Sequence, residues 1–186
     1  MNLHIRARRA AASSSGGGLN PLGTSMVRDL VYHFSTASLT ECNVRANALD
    51  GDSATLLAKV AREKRVMLFG IKHDQTVANF ISQGLGPEDA ILIASDLAVS
   101  ASMTVTDMRY NKLDTESATM LATIAKEKGI SLCGITPEQT VADFSRKLPS
   151  DPIMHPADAI LLTADLAVRA SLTSVRSPAH KLAPFA

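Results

Sequence analysis

Ala101-Ser102-Met103-Thr104, followed by Arg109, Asn111, Leu113, Asp114 and Ser117-Ala118-Thr119, repeats Ala37-Ser38-Leu39-Thr40, Arg45, Asn47, Leu49, Asp50 and Ser53-Ala54-Thr55 at a distance of 64 residues. The correspondence continues without a gap to Phe80 against Phe144. After a five-residue insertion around Ser150 to Met154 it resumes as Pro87-x-Asp89-Ala90-Ile91-Leu92 against Pro156-x-Asp158-Ala159-Ile160-Leu161, then Asp96-Leu97-Ala98-Val99 against Asp165-Leu166-Ala167-Val168. Over residues 53–80 and 87–104, 28 of 46 residues are identical to their counterparts, far above chance, so the pattern is a duplicated unit. Similarity at a fixed period is the signature of an array of stacked units, which typically holds another molecule on a surface.

The period exceeds the roughly 20–50 residues of one solenoid unit, so two units are expected inside it. Leu39-x-x-Cys42-x-Val44-x-x-Asn47-x-Leu49 returns as Met103-x-x-Thr106-x-Met108-x-x-Asn111-x-Leu113 and as Leu172-x-x-Val175-x-Ser177-x-x-His180-x-Leu182. Weaker frames lie between them, Ala78-x-Phe80-x-x-Gln83-x-Leu85 and Ala142-x-Phe144-x-x-Lys147-Leu148. The Asn-type positions 47, 83 and 111 are separated by 36 and then 28 residues. Between frames, Leu56, Leu57, Val60 and Ala61 fall at helical spacing in Ser53 to Lys64, with Asp52 or Ser53 as the expected N-cap. Ser117 to Lys128 reads the same way, with Gly129 where a helix would stop. Pro87 and Pro156 suit a first helical turn, and Asp89 and Asp158 follow near the positive end of the helix dipole.

These frames resemble the leucine-rich repeat, and short strands joined to long helices resemble its ribonuclease-inhibitor-like subclass. The resemblance covers about residues 25–182. It implies an α/β leucine-rich-repeat horseshoe of about five units, with parallel strands on the concave face and helices on the convex face. Asn47 and Asn111 would form a structural ladder, bonding backbone groups where the chain leaves each strand. Gly70 to Gln75 and Gly134 to Gln139 are expected to be turns on the rim.

At 186 residues the chain is long enough for one domain with a sizeable core. A net charge of +1 gives no phosphate footprint, so nucleic acid is not an expected partner. No apolar run reaches the roughly 18 residues of a membrane span. Cys42 and Cys133 occupy core-type positions and read as buried thiols in a reducing, cytoplasmic compartment. Neither they nor His73, His155 and His180 have metal-ligand or triad spacing, so no metal or other cofactor is expected. Lys72 near Gly70 lacks the phosphate-loop pattern. Asp96 and Asp165 recur by duplication in separate units and do not read as an acid–base pair. A helix-turn-helix at Ala125 to Val141 is disfavoured by its long connection and by Arg65 in place of Gly129.

Residues 1–24 carry Arg6, Arg8, Arg9 and Ser13-Ser14-Ser15-Gly16-Gly17-Gly18, and read either as a disordered tail or as an organelle or export signal. Met26 to Ala37 then resembles the helix of an incomplete first unit. Residues 183–186 form a tail, and the absence of a polar cap there points to self-association or to further repeats.

On the concave face the frames place Glu41, Asn43, Arg45, Val77, Asn79, Ser82, Asp107, Arg109, Tyr110, Asp143, Ser145, Arg146, Ser174 and Arg176. Arg109 and Tyr110 stand out, because Arg and Tyr are enriched among interface anchors. The expected function is a non-enzymatic protein–protein interaction module. The alternatives are a regulator of a small GTPase or a sensor-type repeat domain, and an exported effector acting by protein binding.

Overall fold

The computed structural model describes residues 2–4, 27–32, 39–45, 47, 49–145 and 153–176. The expectations for Arg146, His180 and most of residues 1–24 lie outside these. The described chain is a mixed α/β arrangement of short parallel strand pairs and helices, with no closed barrel. Its elements run β1 (Asn2–His4), β2 (Glu41–Asn43), α1 (Gly51–Lys64), β3 (Val77–Asn79), α2 (Pro87–Val99), β4 (Val105–Asp107), α3 (Thr115–Lys128), β5 (Val141–Asp143), α4 (Pro156–Val168) and β6 (Ser174–Arg176). Residues 27–32 are also helical. Strands pair in parallel as β1–β2, β3–β4 and β5–β6. Among the described helices, contacts join α1 to α2, α2 to α3 and α3 to α4.

The long helices begin two residues earlier than the apolar spacing predicts. Asp50 and not Asp52 or Ser53 is the N-cap, its carboxylate accepting from the Ser53 N–H at 2.8 Å. Asp114 does the same with Ser117 at 2.8 Å. These bonds hold both carboxyls below the usual range. Pro87 and Pro156 open α2 and α4, where Asp89 and Asp158 accept the backbone N–H of Gly86 and His155. At the far ends, Gly129 closes α3 at φ +69°, whereas Arg65 closes α1 at φ +55°.

After each long helix the chain returns directly to the strand layer, a feature the sequence spacing does not predict. Met67 bridges Glu41 in parallel, and the N–H groups of Cys42 and Val44 donate to the carbonyls of Met67 and Leu68. Ser131 bridges Val105 in parallel, and the N–H groups of Thr106 and Met108 donate to Ser131 and Leu132. Val66-Met67-Leu68-Phe69 is apolar throughout and buried throughout, so it carries no period-2 signal.

Two buried carboxylates fasten helices to these return segments. Asp96 of α2 accepts from Leu68 N at 2.7 Å and Phe69 N at 2.8 Å. Asp165 of α4 accepts from Leu132 N at 2.6 Å, Cys133 N at 2.9 Å and Ser131 Oγ at 2.6 Å. Both side chains are fully inaccessible. Burial pushes Asp96 up to about 7 against the pull of its two N–H donors, and raises Asp165 for the same reason.

Two predictions follow from these local geometries. Arg65→Gly should raise stability by about 1 kcal/mol in urea unfolding, because a non-glycine residue is strained in the left-handed region. Between pH 4 and 7 the folded chain retains on Asp96 a proton that the unfolded chain releases, so this contribution to stability is lost as pH rises. Asp96→Asn lacks that titration and puts an amide N–H₂ against a backbone donor. Its deficit relative to wild type should be largest near pH 4 and shrink by roughly 3–4 kcal/mol above pH 7, measured by urea unfolding across that range.

Candidate functional site

The strands place alternate side chains on opposite faces. Ala78 and Ala142 point into the core, while Val77 and Val141 on the same strands are 56% and 42% exposed. Asn79 and Asp143 beside them are exposed too. Parallel sheets usually have both faces covered, so exposed valines at equivalent strand positions mark an open face. Val77 and Asn79 pair in register with Val105 and Asp107, and Val141 and Asp143 pair with Ser174 and Arg176. This register brings Asn79 beside Asp107 and Asp143 beside Arg176. Glu41 and Asn43 lie half-buried on β2.

Two arginines flank this face. The guanidinium of Arg109 lies 5.0 Å from the centre of the Phe144 ring and 5.7 Å from that of Tyr110. Its Nε and Nη2 donate to the two carboxylate oxygens of Asp107 at 2.9 and 2.6 Å. Burial opposes the Arg109 charge, but Asp107 outweighs it and holds the pKa above the ordinary value. Arg45 lies 4.8 Å from the centre of the Phe69 ring and 5.5 Å from that of Phe80. Its guanidinium donates to the side-chain oxygen of Gln83.

Tyr110 takes φ +60° and donates its backbone N–H to the buried carboxylate of Asp158 at 2.9 Å. Burial raises its phenol pKa, and Arg109 pulls the other way. The backbone of the residue expected as an anchor is therefore fixed from within.

Asn111 is a buried junction. Its Oδ1 accepts from Gln83 N and Leu85 N at 3.0 and 3.1 Å, and its Nδ2 donates to the carbonyls of Phe80 and Met108, both at 2.8 Å. It thus joins the end of β3 to the end of β4. Asn47 donates to Val44 O at 2.7 Å within its own turn. Spacing alone misses Phe69 and Phe144 as platforms for the arginines, although the repeated Arg45/Phe80 and Arg109/Phe144 pairs were available as a signal.

Cys42 and Cys133 are buried and free. Burial and then the charge of Asp96 push the Cys42 thiol up to about 11, and burial with Asp165 raises Cys133 well above its ordinary value. Among the described residues, no group of three or more His, Cys, Asp or Glu side chains converges as a metal site, and no helix is long and apolar enough to cross a membrane. No known family model matches the chain, and no curated protein matches it.

Gly134 sits at φ +74°, where a Cβ would come within 2.8 Å of Asp107 Oδ2. Gly134→Ala should therefore cost about 1–3 kcal/mol and displace the carboxylate that holds Arg109. Thermal unfolding would report the first effect, and faster exchange of the Arg109 Nε proton by NMR the second.

Proposed function

We propose that the chain is a leucine-rich-repeat array that acts as a non-enzymatic protein-interaction module, its partner docking on the exposed strand face. The observation that carries this reading is the open face bearing Val77, Asn79, Val141 and Asp143. Contacts between successive helices, parallel pairing within β1–β2, β3–β4 and β5–β6, and the Asn111 junction support the repeat architecture. The partner would meet Glu41, Asn43, Arg45, Asn79, Asp107, Arg109, Tyr110, Asp143 and Arg176. Arginines stacked on aromatic rings lose little freedom on binding, which favours them as anchors.

Photo-crosslinking residues placed at Val77 and Val141 should capture a discrete protein in cells. The same label at the exposed helix positions Lys59 and Thr123 should not, and Arg109→Ala should weaken the capture. Equal capture from both sets, or capture from the helices alone, would overturn the reading.

A further inference from the structure

The two arginine sites share one frame. Arg45 N donates to Asn43 Oδ1 at 3.0 Å, and Arg109 N to Asp107 Oδ1 at 3.2 Å. Gly70 crowds Asn43 as Gly134 crowds Asp107, with Cβ approaches of 2.7 and 2.8 Å. Each guanidinium lies over two aromatic rings. The sites share the equivalent rings Phe80 and Phe144 and differ in the second ring, Phe69 against Tyr110, and in the charge beside the arginine, where the carboxylate of Asp107 is replaced by the amide of Asn43. The ion pair among the described residues is Asp107–Arg109. Arg45 instead donates to the neutral Gln83 and keeps its charge uncompensated there.

We infer that Arg45 is a receptor for a carboxylate, supplied by an acidic side chain of the protein partner, which pairs with the guanidinium and provides the charge that Asp107 provides to Arg109. This rests on the interaction-module reading and adds the chemistry of the contact. A guanidinium offers five donors in a planar fork matched to a carboxylate. The Phe69 and Phe80 ring centres lie 4.8 and 5.5 Å from the guanidinium, and one of its donors goes to Gln83. Asn43 presents an amide where a second carboxylate would have filled the site from within. The half-buried setting of Arg45 and Asn43 beside the open strand face favours a carboxylate carried on a protein surface over a small acid enclosed in a cavity.

The direct test follows the Arg45 Nε resonance of the full chain by NMR during titration with a blocked leucine–glutamate–leucine tripeptide and its glutamine counterpart. The glutamate peptide should shift the resonance and bind at least about tenfold more tightly. Asn43→Asp should abolish the response by installing the internal pair. Asp107→Asn should make Arg109 respond as well. Equal binding of the two peptides, or an undiminished response in Asn43→Asp, would overturn the proposal. Arg45→Gln provides an independent arm. If that variant retains wild-type crosslinking from Val77, the carboxylate receptor fails while the module reading stands. Absence of crosslinking from Val77 and Val141 in the wild type would instead remove the module reading.

Discussion

Two buried aspartates hold the helix layer to the strand layer. Every backbone N–H that enters a protein interior needs an acceptor. The return segments after α1 and α3 present consecutive N–H groups at Leu68 and Phe69 and at Leu132 and Cys133, and one carboxylate serves each pair. A carboxylate suits the task because it only accepts, through two oxygens. Burial raises the pKa of both aspartates against the pull of their donors, so the residues that fix the fold also make it sensitive to pH. The arrangement reaches Arg45, since Phe69 both donates its N–H to Asp96 and lies under the Arg45 guanidinium.

Duplication followed by divergence explains the pairs of near-identical sites. The Asp165 clamp gains the Ser131 hydroxyl, where the first copy has Met67. Nearby, Arg169 donates to Ile135 O and Thr104 O, where the first copy has Ser100. Arg109 is neutralised by Asp107 while Arg45 is not. The second copy therefore carries the more internally bonded version of each site, and the first leaves the charge of Arg45 without an internal counter-ion.

The legible parts of the chain were those written in spacing. Frames at Leu39, Ala78, Met103, Ala142 and Leu172 each fall on an observed strand, and the prolines at 87 and 156 mark helix starts. Caps shifted to Asp50 and Asp114 because Gly51, Asp52, Thr115 and Glu116 tolerate helix without contributing an apolar stripe. The return through Val66 to Phe69 was hidden because a run buried on every side has no period. The stacking of Arg45 on Phe69 joins residues 24 positions apart in different segments, so no local pattern announces it. Asp96 and Asp165 were visible as repeated acids, but their role depends on backbone donors that have no sequence signature.

The likeness of the two copies also poses a question of fidelity during folding. With so many identical residues, α2 and α4 offer each other's binding surfaces, and a helix seated one unit out of place would bury nearly the same apolar atoms. Arg169 sets the two seats apart. With α2 in the seat of α4, Ser100 would stand where Arg169 reaches the Thr104 and Ile135 carbonyls, and those bonds would be lost. With α4 in the seat of α2, the guanidinium would be brought into a place built around a serine. This one polar difference between the copies thus acts as an address, favouring each helix in its own place along the chain.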